Sequence, residues 1–218
     1  MILLADNDVL LKLAQYDLLD DALSALRVRY GRVCVLPTAR FVFRRHQPAV
    51  ARRRLGDDVV ARLERAFQHL EVLDDAPGPA LIERLVPHQD IDGGEAILLA
   101  WLVEHVQGQM ITGDKRSLRA FAAAPDLGDL RDVCAGRLVC FEQFLIWMLS
   151  STIGPVVLAK LRLKPDVDKA VRLAIGAAAD PSPEETCVGL ESYVGDLVHC
   201  GVPLAARFDL TPAQGSAT

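Results

Sequence analysis

Short apolar runs of strand length alternate with longer segments of helical periodicity through most of the chain. The runs lie before residue 6 and at residues 33–36, 72–73, 109–112 and 137–140. The segments between them predict helices at residues 9–26, after 38, and at 57–69, 92–106, 115–123 and 141–149. Strands that alternate with helices form parallel sheets, so the pattern predicts an α/β fold with a mostly parallel central sheet flanked by helices.

The alternation stops beyond residue 154, where two helices with strong start signals are predicted at residues 165–179 and 182–200. The predicted organisation is an α/β domain over residues 1–150, a helical C-terminal appendage over 151–210 and a mobile tail over 211–218. We expect the apolar positions of the appendage to pack on the α/β domain, with a homodimer or partner surface as the alternative. These positions are Val167, Val171, Ala174, Ile175, Leu190, Val194 and Leu197.

Composition limits the class of protein. The 218 residues suffice for one substantial domain with an appendage, and the net charge of -5 means that an anionic partner has to be bound by a local basic patch. The five cysteines contain no CxxC pair, which argues against a disulfide framework and against a zinc cluster. No apolar run reaches the length of a membrane span, and no basic leader precedes Asp6. We therefore expect a soluble cytoplasmic protein that does not bind membranes.

Polar residues interrupt the apolar pattern where the first predicted strand ends, in the segment LLADNDVLL. This is the strand-to-helix junction of an α/β unit, and ligands of such folds bind at the carboxyl ends of the strands. Asp6 is therefore a candidate site residue. The alternative is that the acidic residues serve the helix alone, with Asp8 capping its first turn.

Two further acidic motifs lie at comparable positions. DIDGGEAILLAWL places Glu95 at the start of a central helix, and MITGDKRSL places Asp114 just after a strand. Each has a structural alternative, because Asp92 and Glu95 have capping-box spacing and Asp114 is positioned to cap the next helix. Three carboxylates at one edge of a parallel sheet would instead favour a hard divalent ion, Mg²⁺ or Mn²⁺.

These motifs resemble those of the PIN-domain family. LLADNDVLLKL resembles the opening of a PIN domain, DGGEAILLAWL its glycine–glutamate helix, and ITGDKRSL its Thr-x-Asp motif, while LVCFEQF resembles the strand and helix that close the fold. The resemblance covers residues 1–149 and implies a three-layer PIN-like fold with an added C-terminal helical segment. It also implies that Asp6, Glu95 and Asp114 are catalytic metal ligands and that Thr112 orients the loop bearing Asp114. Asp8 and Asp92 are expected to support the site, and whether Asp8 is itself a ligand stays open.

One departure from the family pattern concerns a further acidic residue, which PIN nucleases generally carry after the second strand. Residues 31–56 contain no Asp or Glu. We expect six of their seven arginines to bind phosphates of nucleic acid, unless the segment is simply a solvated basic face. These are Arg40, Arg44, Arg45, Arg52, Arg53 and Arg54. The interleaved Phe41 and Phe43 are expected in the core.

The leading interpretation is a Mg²⁺- or Mn²⁺-dependent ribonuclease, and the resemblance implies that in bacteria it would be the toxin of a toxin–antitoxin pair. RNA is then the substrate, and an antitoxin or another protein is the expected partner. A second interpretation is a degenerate PIN domain that binds RNA or protein without cleavage. A third is a haloacid-dehalogenase-like phosphatase with Asp6 and Asp8 as its Asp-x-Asp pair, although Leu10 stands where that family has threonine.

Overall fold

A five-stranded sheet with all strands parallel forms the centre of the molecule. The computed structural model describes residues 2–44, 46–73, 76–176 and 180–206. The strands are β1 (Ile2–Ala5), β2 (Arg32–Val35), β3 (Glu71–Val72), β4 (Gly108–Thr112) and β5 (Leu138–Cys140), in the order β3-β2-β1-β4-β5. Every neighbouring pair is parallel, which confirms the predicted α/β class.

Helices cover both faces of the sheet. Within the described residues they are α1 (Asn7–Gln15), α2 (Leu19–Tyr30), α3 (Ala39–Val42), α4 (Pro48–Leu55), α5 (Asp57–Ala66), α6 (Pro79–Leu85), α7 (Gly93–Glu104), α8 (Lys115–Ala123), α9 (Gly128–Cys134), α10 (Phe141–Leu149), α11 (Gly154–Leu163), α12 (Lys169–Ile175) and α13 (Pro183–His199). Short 3₁₀ turns lie at Pro125–Leu127 and Pro165–Val167. None of the described helices is long and apolar enough to cross a membrane.

Two predicted helices differ from the observed ones. The helix predicted at residues 9–26 is divided into α1 and α2, because the chain turns at Asp17, whose φ of 60° lies in the left-handed region. The helix predicted from Pro165 begins only at Lys169, where the extended Asp168 accepts hydrogen bonds from the first-turn N–H groups. Its predicted end at residue 179 lies outside the described residues.

The sheet separates two apolar clusters. Adjacent residues of β1 belong to different clusters, Leu3 to the one with α1, α2, α5 and α10 and Leu4 to the one with α7, α8 and α9. This alternation follows from the two-residue period of a strand. Phe43 is buried in the first cluster as expected, whereas Phe41 is half exposed, so its predicted place in the core is wrong.

The C-terminal helices share these clusters. Val171, Ile175 and Leu190 are buried in the first cluster and Leu197 in the second, and α13 packs along α10. The remaining apolar positions predicted to pack there, Val167, Ala174 and Val194, are partly buried against the same clusters. Apolar packing therefore continues across the boundary predicted at residue 150. The predicted tail at 211–218 lies outside the described residues.

Replacing Leu190 by alanine tests this shared core. Leu190 is fully buried on α13, so the variant should lower the free energy of unfolding by about 2–5 kcal/mol. Leu173, on α12 and 53% exposed, is the matched control, and its replacement should cost less than about 0.5 kcal/mol. Urea denaturation followed by circular dichroism measures both; a Leu190→Ala curve that coincides with the wild-type curve would contradict the shared core.

Candidate functional site at the carboxyl end of the sheet

A cleft of about 1170 Å³ lies at the carboxyl end of the sheet. The residues that line it come from the ends of β1, β2 and β4, from the helices that follow these strands, and from the starts of α7 and α12. They are Asp6, Asn7, Asp8, Leu11, Leu36, Thr38, Val42, Phe43, Asp92, Gly93, Gly94, Glu95, Ile97, Gly113, Asp114, Lys115, Arg116, Arg119 and Lys169. Asp6, Glu95 and Asp114 thus face one cleft, at the edge where parallel α/β folds bind ligands.

Asp6 is a buried carboxylic acid at the end of β1. Its side chain is 8% exposed, and Asp6 Oδ2 accepts a hydrogen bond from Thr112 Oγ1 at 3.1 Å. Burial, and to a lesser degree the charge of Asp8, raises the pKa of Asp6 from 3.8 to about 6, although the Thr112 hydrogen bond opposes the shift. Asp6 occupies the N-cap position of α1 without capping it through its side chain. The structure therefore gives the Asp6 carboxylate no capping role.

Thr112 connects the ends of β1 and β4. Its buried hydroxyl donates to Asp6 and accepts a hydrogen bond from the Asp114 backbone N–H at 3.0 Å. This geometry fits the predicted role of Thr112 in orienting the loop that bears Asp114. Asp114 Oδ1 accepts from the backbone N–H groups of Arg116 and Ser117, so Asp114 also caps α8. No hydrogen bond to Asp114 Oδ2 occurs within the described residues, and this oxygen is left for a ligand.

Glu95 carries a buried oxygen without a partner. Asp92 Oδ1 caps α7 by accepting from the N–H groups of Gly94 and Glu95, as its spacing predicted. The reciprocal half of a capping box is missing, since the Glu95 side chain does not bond back to the Asp92 backbone. Glu95 is 8% exposed, and its Oε2 has no hydrogen-bond partner among the described residues. A buried carboxylate oxygen without a partner is costly, which marks Glu95 as a candidate ligand-binding residue.

Asp8 is paired with a lysine. It lies in the first turn of α1 rather than at its N-cap, so the alternative that it caps this helix is wrong. Asp8 Oδ2 lies 2.7 Å from Lys12 Nζ, which is also 2.9 Å from Asp168 Oδ2. Burial raises the pKa of Asp168, but the hydrogen bonds from Lys12 and the Val171 backbone, together with the positive charges of Lys12 and Lys115, outweigh burial, and the pKa is lowered. Gly113 passes so close to Asp8 that a Cβ there would lie 2.1 Å from Asp8 Oδ2.

The donor set suits a hard cation, although the side chains are not arranged as a finished metal site. Asp6, Glu95 and Asp114 offer only carboxylate oxygens, the ligands that Mg²⁺ and Mn²⁺ prefer. Among the described residues, no three His, Cys, Asp or Glu side chains form a group that could hold a metal ion as they stand. Their role as metal ligands stays a prediction.

Two charged residues in or beside the cleft, Glu142 and Lys169, were not among the predicted site residues. Glu142 lies two residues after β5, in the first turn of α10. It is fully buried and forms an ion pair with Lys115 through Oε1, while its Oε2 has no partner in the described part of the chain. Its position after a strand was the signal that could have identified it, by the same rule that identified Asp6. Lys169 comes from α12, far from the cleft in sequence, and no local pattern marks it.

The predicted arginine segment lies mostly outside the cleft. Its described members, Arg40, Arg44, Arg52, Arg53 and Arg54, are all exposed and do not line the cleft, and Arg45 lies outside the described residues. Thr38, Val42 and Phe43 of the same segment do line it. The basic side chains of the cleft are instead Lys115, Arg116, Arg119 and Lys169. Nucleic-acid binding by the arginine segment stays a prediction.

Comparisons of the chain with protein-family models, with curated proteins and with solved structures gave no match. The functional assignment therefore rests on the residues of the cleft and on the motifs that they form.

The elevated pKa of Asp6 makes stability depend on pH. Folding raises this pKa, so the contribution of Asp6 to stability is fully present below pH 3.8 and is lost as the pH rises through about 6. Relative to the wild type, the free energy of unfolding of Asp6→Asn should therefore increase by about 3 kcal/mol when the pH is raised from about 4 to about 8 in the presence of EDTA. Urea denaturation at both pH values measures the difference. Asp132→Asn, which removes an exposed acid of α9 outside the cleft, should show no comparable gain; equal pH profiles for both variants would contradict the buried state of Asp6.

Proposed function

We propose that the protein is a Mg²⁺- or Mn²⁺-dependent ribonuclease with its active site in this cleft. The observation that carries the proposal is Glu95 Oε2, a buried carboxylate oxygen without a partner, in the same cleft as the buried Asp6. Two buried acids beside a third, Asp114, are unfavourable unless protons or a cation neutralise them. The resemblance of the three motifs to those of PIN-domain nucleases supports the same assignment.

Asp6, Glu95 and Asp114 would hold the metal ion. When bound, such an ion activates a water molecule for attack on a phosphodiester and stabilises the charge that develops on the phosphate. Glu95 Oε2 and Asp114 Oδ2 have no hydrogen-bond partner within the described residues, so these carboxylate oxygens are the atoms best placed to accept a ligand. Bringing these side chains onto one ion requires movement from the arrangement described above.

Other residues of the cleft fix the positions of these acids. Thr112 holds Asp6 Oδ2 and the backbone of Asp114 with one hydroxyl group. Asp92 fixes the first turn of α7, which determines where the Glu95 side chain begins. Lys12 neutralises Asp8, so that Asp8 adds less negative charge beside Asp6. These contacts preorganise the cleft before a ligand binds.

A binding module without catalytic activity is the second candidate. It is favoured by the absence of an acidic residue from positions 31–56 and by the lack of a group that could hold metal among the described residues. A phosphatase of the Asp-x-Asp type is less well supported, because it requires Asp8 as a proton donor and Asp8 is ion-paired with Lys12. The toxin role and an antitoxin partner rest on the motif resemblance alone.

Replacement of Asp114 by asparagine separates nuclease from binding module. The amide oxygen can still cap α8, so the fold should survive, while the loss of one ligand charge should reduce RNA cleavage on the order of 100-fold or more. RNA binding should be retained, because basic residues rather than the metal bind the phosphates. The measurement is cleavage of structured and single-stranded RNA across a millimolar titration of Mg²⁺ or Mn²⁺.

Asp132→Asn is the control and should cleave like the wild type. If the wild type and Asp114→Asn show the same amount of RNA cleavage and EDTA does not change it, the nuclease proposal is abandoned in favour of the binding module.

A further inference from the structure

We propose that Arg116 and Lys169 form a phosphate-binding wall of the cleft, which holds the backbone of single-stranded nucleic acid against the acidic residues. This inference rests on the proposed function for the identity of the ligand. It assigns the phosphate contacts to residues of α8 and α12, which lie outside the arginine segment.

The basic residues of the cleft differ in how closely they are already paired with acidic residues of the protein. Lys115 is ion-paired with the buried Glu142 and lies 5.2 Å from the ring centroid of Tyr193, and Arg119 is ion-paired with Asp196. The side chain of Arg116 is 78% exposed, and its nearest acid is Asp114 at 4.0 Å. Lys169 is exposed and forms no ion pair within the described residues. Arg116 and Lys169 are thus the cleft cations most available to a ligand.

A buried ion pair fixes the position of Lys169. Asp168, which is 7% exposed, caps α12 through Oδ1 and binds Lys12 Nζ through Oδ2 at 2.9 Å. Lys12 belongs to α1, the helix that begins directly after Asp6. The start of α12 is therefore attached to the element that follows the first acidic residue of the cleft. Lys169, the next residue after Asp168, lines the cleft as a consequence.

Apolar side chains from other helices also line the cleft. Leu11 of α1 and Ile97 of α7 are partly exposed there, and Val42 of α3 is 44% exposed. A cleft that offers both cations and apolar surface matches single-stranded nucleic acid, which presents an anionic backbone and unpaired bases. In a duplex the base faces are stacked and unavailable to these side chains. Because the whole chain carries a net charge of -5, affinity for the backbone has to come from such a local patch.

The test is the salt dependence of binding by an Arg116→Ala/Lys169→Ala variant. The probe is a fluorescein-labelled oligouridylate of about twelve nucleotides, titrated with the full-length protein in EDTA and followed by fluorescence anisotropy. Loss of two phosphate contacts should lower the slope of log K against log salt by about 1.4 and raise Kd about tenfold or more near 0.1 M salt. Both side chains are exposed, so the thermal unfolding midpoint should not change.

Arg27→Ala/Lys164→Ala is the matched control. It removes the same two charges from exposed positions that do not line the cleft, and it should leave the slope unchanged. Equal salt slopes for the wild type and the Arg116/Lys169 variant would overturn the proposal. A salt slope that falls only when Arg52, Arg53 and Arg54 are replaced would also overturn it. Because the assay contains no metal, the result is independent of cleavage. If the Arg116/Lys169 variant has a lower salt slope but the wild type does not cleave RNA, only the proposed function is contradicted. If the wild type cleaves RNA but the variant keeps the wild-type salt slope, only the phosphate-binding wall is contradicted.

Discussion

The hydrogen bond from Thr112 to Asp6 joins the carboxyl ends of two neighbouring parallel strands, and the arrangement of the cleft depends on it. Strand β1 is paired with β4 along its whole length, so the residues that follow the two strands emerge side by side. The Thr112 hydroxyl then uses both its donor and its acceptor capacity, one toward the Asp6 side chain and one toward the Asp114 backbone. A single buried side chain thereby fixes two of the three acids on which the proposed chemistry relies.

Charge is the second constraint on the cleft. Asp6 and Glu95 are both buried, yet neither forms an ion pair with a lysine or arginine within the described residues. The nearby lysines form ion pairs with other acids. Lys12 is paired with Asp8 and Asp168, and Lys115 is paired with Glu142. The nearby lysines thus neutralise Asp8, Asp168 and Glu142, whereas Asp6 and Glu95 stay uncompensated within the described part of the chain. Such an arrangement lowers stability at neutral pH, and a bound divalent cation would remove that cost.

The parts of this fold that could be predicted are those specified by local sequence. The bounds of α8 and α10 match the prediction, because the residue before each helix marks its start and the strand before it is a distinct apolar run. Helices α4, α6, α9 and α11 were not predicted. They are about as short as α8 and α10, but none of them begins within three residues of the end of a strand, so no distinct apolar run marks their start, and such short helices depend on tertiary packing.

The acids of the candidate site were predictable for the same reason, since Asp6 and Asp114 lie within two residues of the ends of strands and Glu95 lies in the first turn of a helix. The contribution of α12 could not be predicted, because Lys169 lines the cleft through contacts that are distant in sequence, among them the ion pair between Asp168 and Lys12. The position of the arginine segment relative to the cleft could not be read from its composition. The packing of α4 leaves Arg52, Arg53 and Arg54 exposed and outside the cleft.

The most direct test of the central claim is a crystal structure determined with Mn²⁺, using anomalous scattering to locate the ion. The account predicts one Mn²⁺ peak in the cleft, within about 2–2.5 Å of carboxylate oxygens of Asp6, Glu95 and Asp114, with the Glu95 side chain turned onto the ion. A cleft without an anomalous peak at millimolar Mn²⁺, or an ion bound elsewhere while Glu95 Oε2 stays unpartnered, would contradict it.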